Sequence, residues 1–270
     1  MNMLLAIDIG NTNTDLGIFK GSRLLCRDKI PTASAMEMSR VWRALRPRNG
    51  PARYQAALVA SVNPRATRAV AGWARHERFG EVAIIGKDLR VPITVRVRRP
   101  SQVGADRLLD CFAALRHARP PFIVVDAGSA VTVDAVSQAG EFLGGAIAPG
   151  IRLGAEGLHR YCAQLPLVET AGWIYEPRLC ARRAGKIRAT RRVPAIGRDT
   201  VAAMKSGLFW GTVGLVQEII ERIESELHTR CVVIGTGGDI RVLARHLRRR
   251  VMVVQSLTLE GIVATYHHGH

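Results

Sequence analysis

The sequence predicts an α/β protein of two duplicated lobes, each a mixed β-sheet flanked by helices, with a ligand cleft between them. Three observations carry this expectation. Two apolar runs, Met3 to Ile7 and Phe122 to Val125, each end on an Asp with a Gly two residues further on. These turns read Asp8-Ile9-Gly10-Asn11-Thr12-Asn13-Thr14 and Asp126-Ala127-Gly128-Ser129-Ala130-Val131-Thr132. Each opens a strand meander that gives way to alternating strands and helices, as an α/β unit requires. The repeat is therefore one of lobes, 1–118 and 119–270, and not a short-period solenoid.

The elements follow in order. Met3–Ile7, Asp15–Lys20 and Arg23–Lys29 form the first meander, with Lys20-Gly21-Ser22 as a turn. Ser34 is placed to cap a helix reaching about Leu45, stopped by the Pro- and Gly-containing stretch 46–51. Strand Ala56–Ala60 leads through Ser61-Val62-Asn63-Pro64 into a helix. Strands near Val82–Ile85 and Ile93–Val97 precede Pro100, and a helix runs from about Val103 to His117. In the second lobe Phe122–Val125, Val131–Ser137 and Glu141–Ala148 form a meander, and Pro149-Gly150 opens a helix to about Cys162. A long helix from Thr200 to about Leu227 follows, then strand Cys231–Ile234 and a helix from Asp239. Strand Val251–Val254 and a helix from about Thr258 complete the pattern.

Bulk properties narrow the function classes. Of 270 residues 47% are hydrophobic, enough for two cores, yet no apolar run approaches the ~20 residues of a membrane helix. The N-terminus enters a strand without a basic stretch or small-residue cleavage site, which argues against a secretory signal. Cys26, Cys111, Cys162, Cys180 and Cys231 form no CxxC pair and read as reduced thiols of a cytoplasmic protein. Thirty-nine Lys+Arg against 22 Asp+Glu give a formal charge of +17, a field that suits phosphates, nucleic acid or anionic membranes. Aromatic residues make up only 5% and do not interleave with the basic ones, which argues against a nucleic-acid partner. The concentrations at Arg178 to Arg198 and Arg241 to Arg250 read as solvated surface, the former as a basic loop or lid. His267-His268-Gly269-His270 has metal-ligand chemistry but reads as a frayed terminus.

The two Asp-x-Gly turns offer backbone N–H groups and short polar side chains to phosphate oxygens, with a carboxylate poised for a metal. One such turn alone fits an ordinary β-hairpin. Two copies, with Gly235-Thr236-Gly237-Gly238 between an apolar strand and a helix, point to nucleotide binding. Gly144-Gly145-Ala146-Ile147-Ala148-Pro149-Gly150 fits either a ligand contact or a close strand crossing. In Gly104-Ala105-Asp106-Arg107 the Asp has two readings: a first-turn residue, or a group that deprotonates an alcohol while the guanidinium holds a carboxylate substrate.

Taken together these blocks resemble the type III pantothenate kinases, a family of the acetate kinase, sugar kinase and actin-like ATPase superfamily. Leu165-Pro166 and Thr200 with Ser206-Gly207 extend the resemblance, in the family's order, over nearly the whole chain. It implies two actin-like lobes and ATP-dependent phosphorylation of pantothenate in coenzyme A biosynthesis. It further implies Asp106 as general base, and Gly104, Ala105 and Arg107 on pantothenate, Arg107 at its carboxylate. Asp8, Gly10, Asn11, Thr12, Asn13, Thr14 and Asp15 would line the phosphates of ATP, with Ser129, Gly237 and Gly238 also on ATP. Mg²⁺ would bridge the phosphates, and Asp126 would hold a monovalent cation, K⁺ or NH₄⁺. Thr200 would reach pantothenate across a homodimer. The chain departs from the family pattern at Ala127 and Ser129, where Phe and Thr are usual, and at Val97, where a substrate-facing Tyr is common. The segment 170–194 is longer and more basic than the family's connection. These departures motivate two alternatives: a catalytically weakened relative acting as a regulatory binding protein, or a kinase of another small hydroxy acid.

Overall fold

The computed structural model describes residues 3–33, 38–45, 54–77, 79–170 and 193–270. Ser34, the stop at 46–51, Cys180 and most of the basic segment lie outside them. Strand β1 (Met3–Ile9) pairs antiparallel with β2 (Asn13–Lys20), which pairs antiparallel with β3 (Arg23–Pro31). Helices α1 (Met38–Leu45) and α2 (Pro64–His76) are interleaved with β4 (Ala56–Ser61) and β5 (Glu81–Ile84), and these strands add in parallel to the other side of β1. Helix α3 (Ala105–Ala114) then leads to a second sheet. There β6 (Phe122–Ala127), β7 (Ala130–Val136) and β8 (Phe142–Pro149) form the antiparallel meander. Helices α4 (Ile151–Tyr161) and α5 (Thr200–Glu226) follow, then β9 (Val232–Thr236), the short α6 (Ile240–Leu243), β10 (Val251–Val253) and α7 (Leu257–Gly269). The sheets are ordered β3-β2-β1-β4-β5 and β8-β7-β6-β9-β10. The duplication is thus reproduced strand for strand.

Alternation decides which side of each strand is covered. On β1 the odd positions Leu5, Ile7 and Ile9 face a core with Trp42 of α1 and Val70 of α2, while Leu4 and Ala6 face Leu259, Ile262 and Tyr266 of α7. In the second sheet Ile123 and Val125 meet Phe209, Val216 and Ile220 of α5, whereas Phe122 and Val124 meet Cys111 and Ala114 of α3. Helices α3 and α7 therefore fill the space between the sheets. A Cβ at Gly261 would lie 2.4 Å from the Leu109 carbonyl, so only glycine lets these helices approach so closely. Helix α7 follows the second sheet in sequence but packs on the first.

Local signals account for most boundaries. Pro64 starts α2 beneath Asn63, whose Oδ1 accepts from the Ala66 N–H at 3.1 Å, and Asp199 caps α5 through the Ala202 N–H at 2.7 Å. The strand expected at Ile93–Val97 does not form. Between Pro92 and Pro100 the chain makes only an isolated bridge, Val95 to Phe142, beside β8. A proline on each side shortens the run that could pair. Helix α3 ends at Ala114 and tightens into turns through His117, whose Nε2 lies 2.7 Å from Glu260 Oε2. The terminal histidines are not frayed: α7 runs to Gly269, and His270 lies against Tyr266 and Glu81. Cys111, Cys162 and Cys231 are free thiols.

Candidate active site

The candidate site lies at the C-terminal ends of β1, in the first sheet, and of the parallel pair β6 and β9, in the second, the end at which open α/β sheets place ligands. Asp8 stands beside Asp15 in the β1–β2 register, and the Gly10 N–H donates to the Asn13 carbonyl at 2.9 Å to close the first turn. The second turn closes in the same way, Gly128 N–H to the Ala130 carbonyl at 2.9 Å. The two turns touch: Ser129 Oγ donates to Thr12 Oγ1 at 2.9 Å, and Arg152 of α4 also donates to that hydroxyl. Thr14, in contrast, is fully buried, its hydroxyl paired with Thr32 at 3.2 Å beneath the turn.

Beyond β9 the third glycine-rich element closes over Asp126. Gly237 has φ +90°, and a Cβ there would lie 2.3 Å from Asp126 Oδ1, so only glycine fits. Gly238 faces Lys29 of β3: its Cβ would lie 3.7 Å from Lys29 Nζ. Lys29 also lies 3.8 Å from Asp15 Oδ2, while Arg27 grips Asp15 Oδ1 at 2.6 Å and donates to the Gln255 carbonyl.

Asp106 occupies the first turn of α3, where its Oδ1 accepts from the Arg107 N–H at 2.9 Å. Its charge helps to raise both the Asp8 and the Asp126 carboxyl. Arg107 is bound to a residue that the motifs do not mark. Its Nε lies 3.0 Å and 3.1 Å from the two oxygens of Asp134, and its Nη2 donates there as well. Asp134 is buried, and the Arg107 guanidinium also lies 5.4 Å from the Phe142 ring centroid. Burial pushes the Asp134 carboxyl up and the Arg107 bonds pull it back. Val97 packs beside Gly144 and the Phe122–Phe142 core, next to this pair. Thr200, at the start of α5, is exposed and outside this group.

Carboxyl groups dominate the crevice. Burial first, then Asp15, Asp106 and Asp126, hold the Asp8 carboxyl well above the usual range, with Lys29 opposing. Asp126 is pushed up to about 7, by burial first and Asp106 next. Asp110, one turn beyond Asp106, is buried and likewise raised, and its Oδ1 meets no donor among the described residues. Lys29, Asp110, Asp134 and Arg152 are the site residues that motif reading missed. Asp110 falls four residues after Asp106, which puts it on the same helix face, and that spacing was the available signal.

A raised carboxyl pKa ties stability to pH. The stability of the neutral Asp126 form is complete below its ordinary pKa of 3.8 and is lost as the pH rises through about 7. Asp126→Asn stays neutral, so its melting temperature should gain on the parent's between about pH 4 and 7 in ligand-free protein. Parallel melting curves across that range would contradict the burial argument.

Comparison with known proteins identifies the family. A family model described as type III pantothenate kinase matches residues 4–222. A type III pantothenate kinase of Moorella thermoacetica is 35% identical over 269 residues, covering 98% of each chain, and one of Myxococcus xanthus is 35% identical over 275 residues, covering 99% of each. In fold the chain is similar to a solved Campylobacter jejuni protein described as a Baf family transcriptional activator. That match has a TM-score of 0.55 and 18% identity and covers 98% of both chains. The sheets are duplicated actin-like ATPase lobes, and the chain belongs to the type III pantothenate kinase family.

Proposed function

We propose that this protein transfers the γ-phosphoryl group of ATP to the primary hydroxyl of pantothenate, giving phosphopantothenate and ADP, in coenzyme A biosynthesis. The observation that carries the reading is the meeting of the two Asp-x-Gly turns, Ser129 on Thr12, with Asp106 acting on both. The backbone N–H groups of the turns, with Asn11, Thr12, Asn13 and Ser129, would cradle the phosphates, and Gly237 and Gly238 would leave room for the nucleoside. Thr14 would support the turn from below. Asp106 would take the proton of the pantothenate hydroxyl as its oxygen bonds to the γ-phosphorus and the bond to the ADP oxygen breaks. Arg107, oriented by Asp134, would face the pantothenate carboxylate, with Gly104, Ala105 and Val97 forming that end of the pocket.

The carboxylates fit the cations that the family reading brings with it. Asp8 and Asp126 are raised first by burial and then by the like charges around them, and a cation relieves that repulsion. No three acidic, His or Cys side chains converge as a metal cage among the described residues, so phosphate oxygens, carbonyls and water would complete the coordination. Bound Mg²⁺ and K⁺ or NH₄⁺ supply neutralisation of charge on the phosphoryl group. Two lobes, 1–118 and 119–270, would frame the cleft. A cytoplasmic homodimer is expected, with Thr200 reaching a neighbouring site. Exposed Ile147 and Leu153, on β8 and α4, are in keeping with such an interface, and no helix among the described residues is long and apolar enough to cross a membrane.

An ADP-release assay tests the reading. Turnover should depend on pantothenate and rise when K⁺ or NH₄⁺ replaces Na⁺, and Asp126→Ala should abolish that response. Full activity in Na⁺ alone would contradict the cation assignment, and a preference for another hydroxy acid would redirect the substrate assignment.

A further inference from the structure

A nucleoside triphosphate entering this crevice meets Asp8, Asp15, Asp106 and Asp126, so cationic side chains must offset the repulsion. Two of the arginines nearby are already committed. Arg27 is divided between Asp15 and the Gln255 carbonyl, and Arg107 is held by both oxygens of Asp134. Lys29 and Arg152 each lack a close carboxylate. Lys29 Nζ has a long 3.8 Å contact to Asp15 and is partly exposed. Arg152 is half exposed, 3.6 Å from Glu156, and reaches a neutral hydroxyl.

Their positions are reciprocal. Lys29 leaves β3 of the first sheet and lies against Gly238 of the second lobe's glycine-rich loop. Arg152 leaves α4, which follows the second sheet, and donates to Thr12 in the first sheet's turn. Thr12 Oγ1 accepts from Arg152 and Ser129 together, where it stands in for an acceptor oxygen of a phosphate. We propose that Lys29 and Arg152 are a crossed pair of phosphate-binding cations that grip the triphosphate from both lobes. On nucleotide binding Arg152 exchanges the Thr12 hydroxyl for a phosphate oxygen, and Lys29 exchanges its distant carboxylate for one. Both exchanges give the cation an ionised acceptor in place of a neutral hydroxyl or a distant carboxylate. The inference rests on the nucleotide-binding part of the proposed function.

Equilibrium binding of ATP and of adenosine to the full-length protein tests it. Lys29→Met and Arg152→Gln should each weaken ATP by about 10–100-fold, the range for losing a hydrogen bond to a charged group, with adenosine binding unchanged. Lys29→Arg should retain most of the ATP affinity. Equal weakening of ATP and adenosine would show a structural role and overturn the pair, as would unchanged ATP binding in both variants. If the parent protein binds ATP in this pattern but does not phosphorylate pantothenate, the pair stands and the proposed reaction falls.

Discussion

Asp106→Asn is expected to lower kcat by about 10²–10⁴-fold, the usual contribution of a general base, with little change in fold. The amide can still accept the Arg107 N–H bond that Asp106 Oδ1 makes at 2.9 Å, so the first turn of α3 keeps its geometry. The proton acceptor is lost. The substitution also removes a negative charge beside Asp8 and Asp126, so ATP binding should hold or strengthen. A fall in kcat without a rise in KM for ATP is therefore the expected signature. A folded variant with near-parental kcat would remove Asp106 from the chemistry.

Asp134→Ala is expected to destabilise the protein by about 3–5 kcal/mol, because it leaves the Arg107 guanidinium, 14% exposed, without its buried partner. For a chain of this size that corresponds to a fall in melting temperature on the order of 10 °C. Binding of pantothenate should weaken together with stability, since the fork of Arg107 would lose its orientation. Asp134→Asn keeps an acceptor and should fall between the two. Thermal melts of the three proteins decide the matter, and a loss in Asp134→Ala under about 1 kcal/mol, the typical worth of an exposed pair, would show that the pair is not buried in solution.

The sequence carried the repeat because the repeat is local. Each lobe announces itself by an apolar strand, an Asp-x-Gly turn and a meander, and both sheets close in the same order. Legibility failed where contacts between distant segments decide. Nothing around Asp134 marks it as the partner of Arg107, 27 residues away on another element. Lys29 sits in an unremarkable strand and becomes a cleft residue only when β3 is brought against Gly238. The Ile93–Val97 run has strand composition, but a ladder needs a partner edge, and only Phe142 offers one. Helix α7 begins where the sequence predicts, near Thr258, while its packing onto the first sheet depends on the close approach at Gly261.

Among the motif residues, Thr14 shows how one pattern combines two jobs. Thr12 points to the meeting of the turns, whereas Thr14 lies buried against Thr32 and holds the turn in shape. Asp8 and Asp126 both feel the charge of Asp106, a repulsion that a bound cation would offset.

Mass spectrometry of pantothenate incubated with the protein, ATP, Mg²⁺ and K⁺ decides whether phosphoryl transfer to pantothenate takes place. A product heavier by one phosphoryl group, formed with equimolar ADP and abolished in Asp106→Asn, is the predicted result. Unchanged pantothenate beside a protein that binds ATP would contradict it.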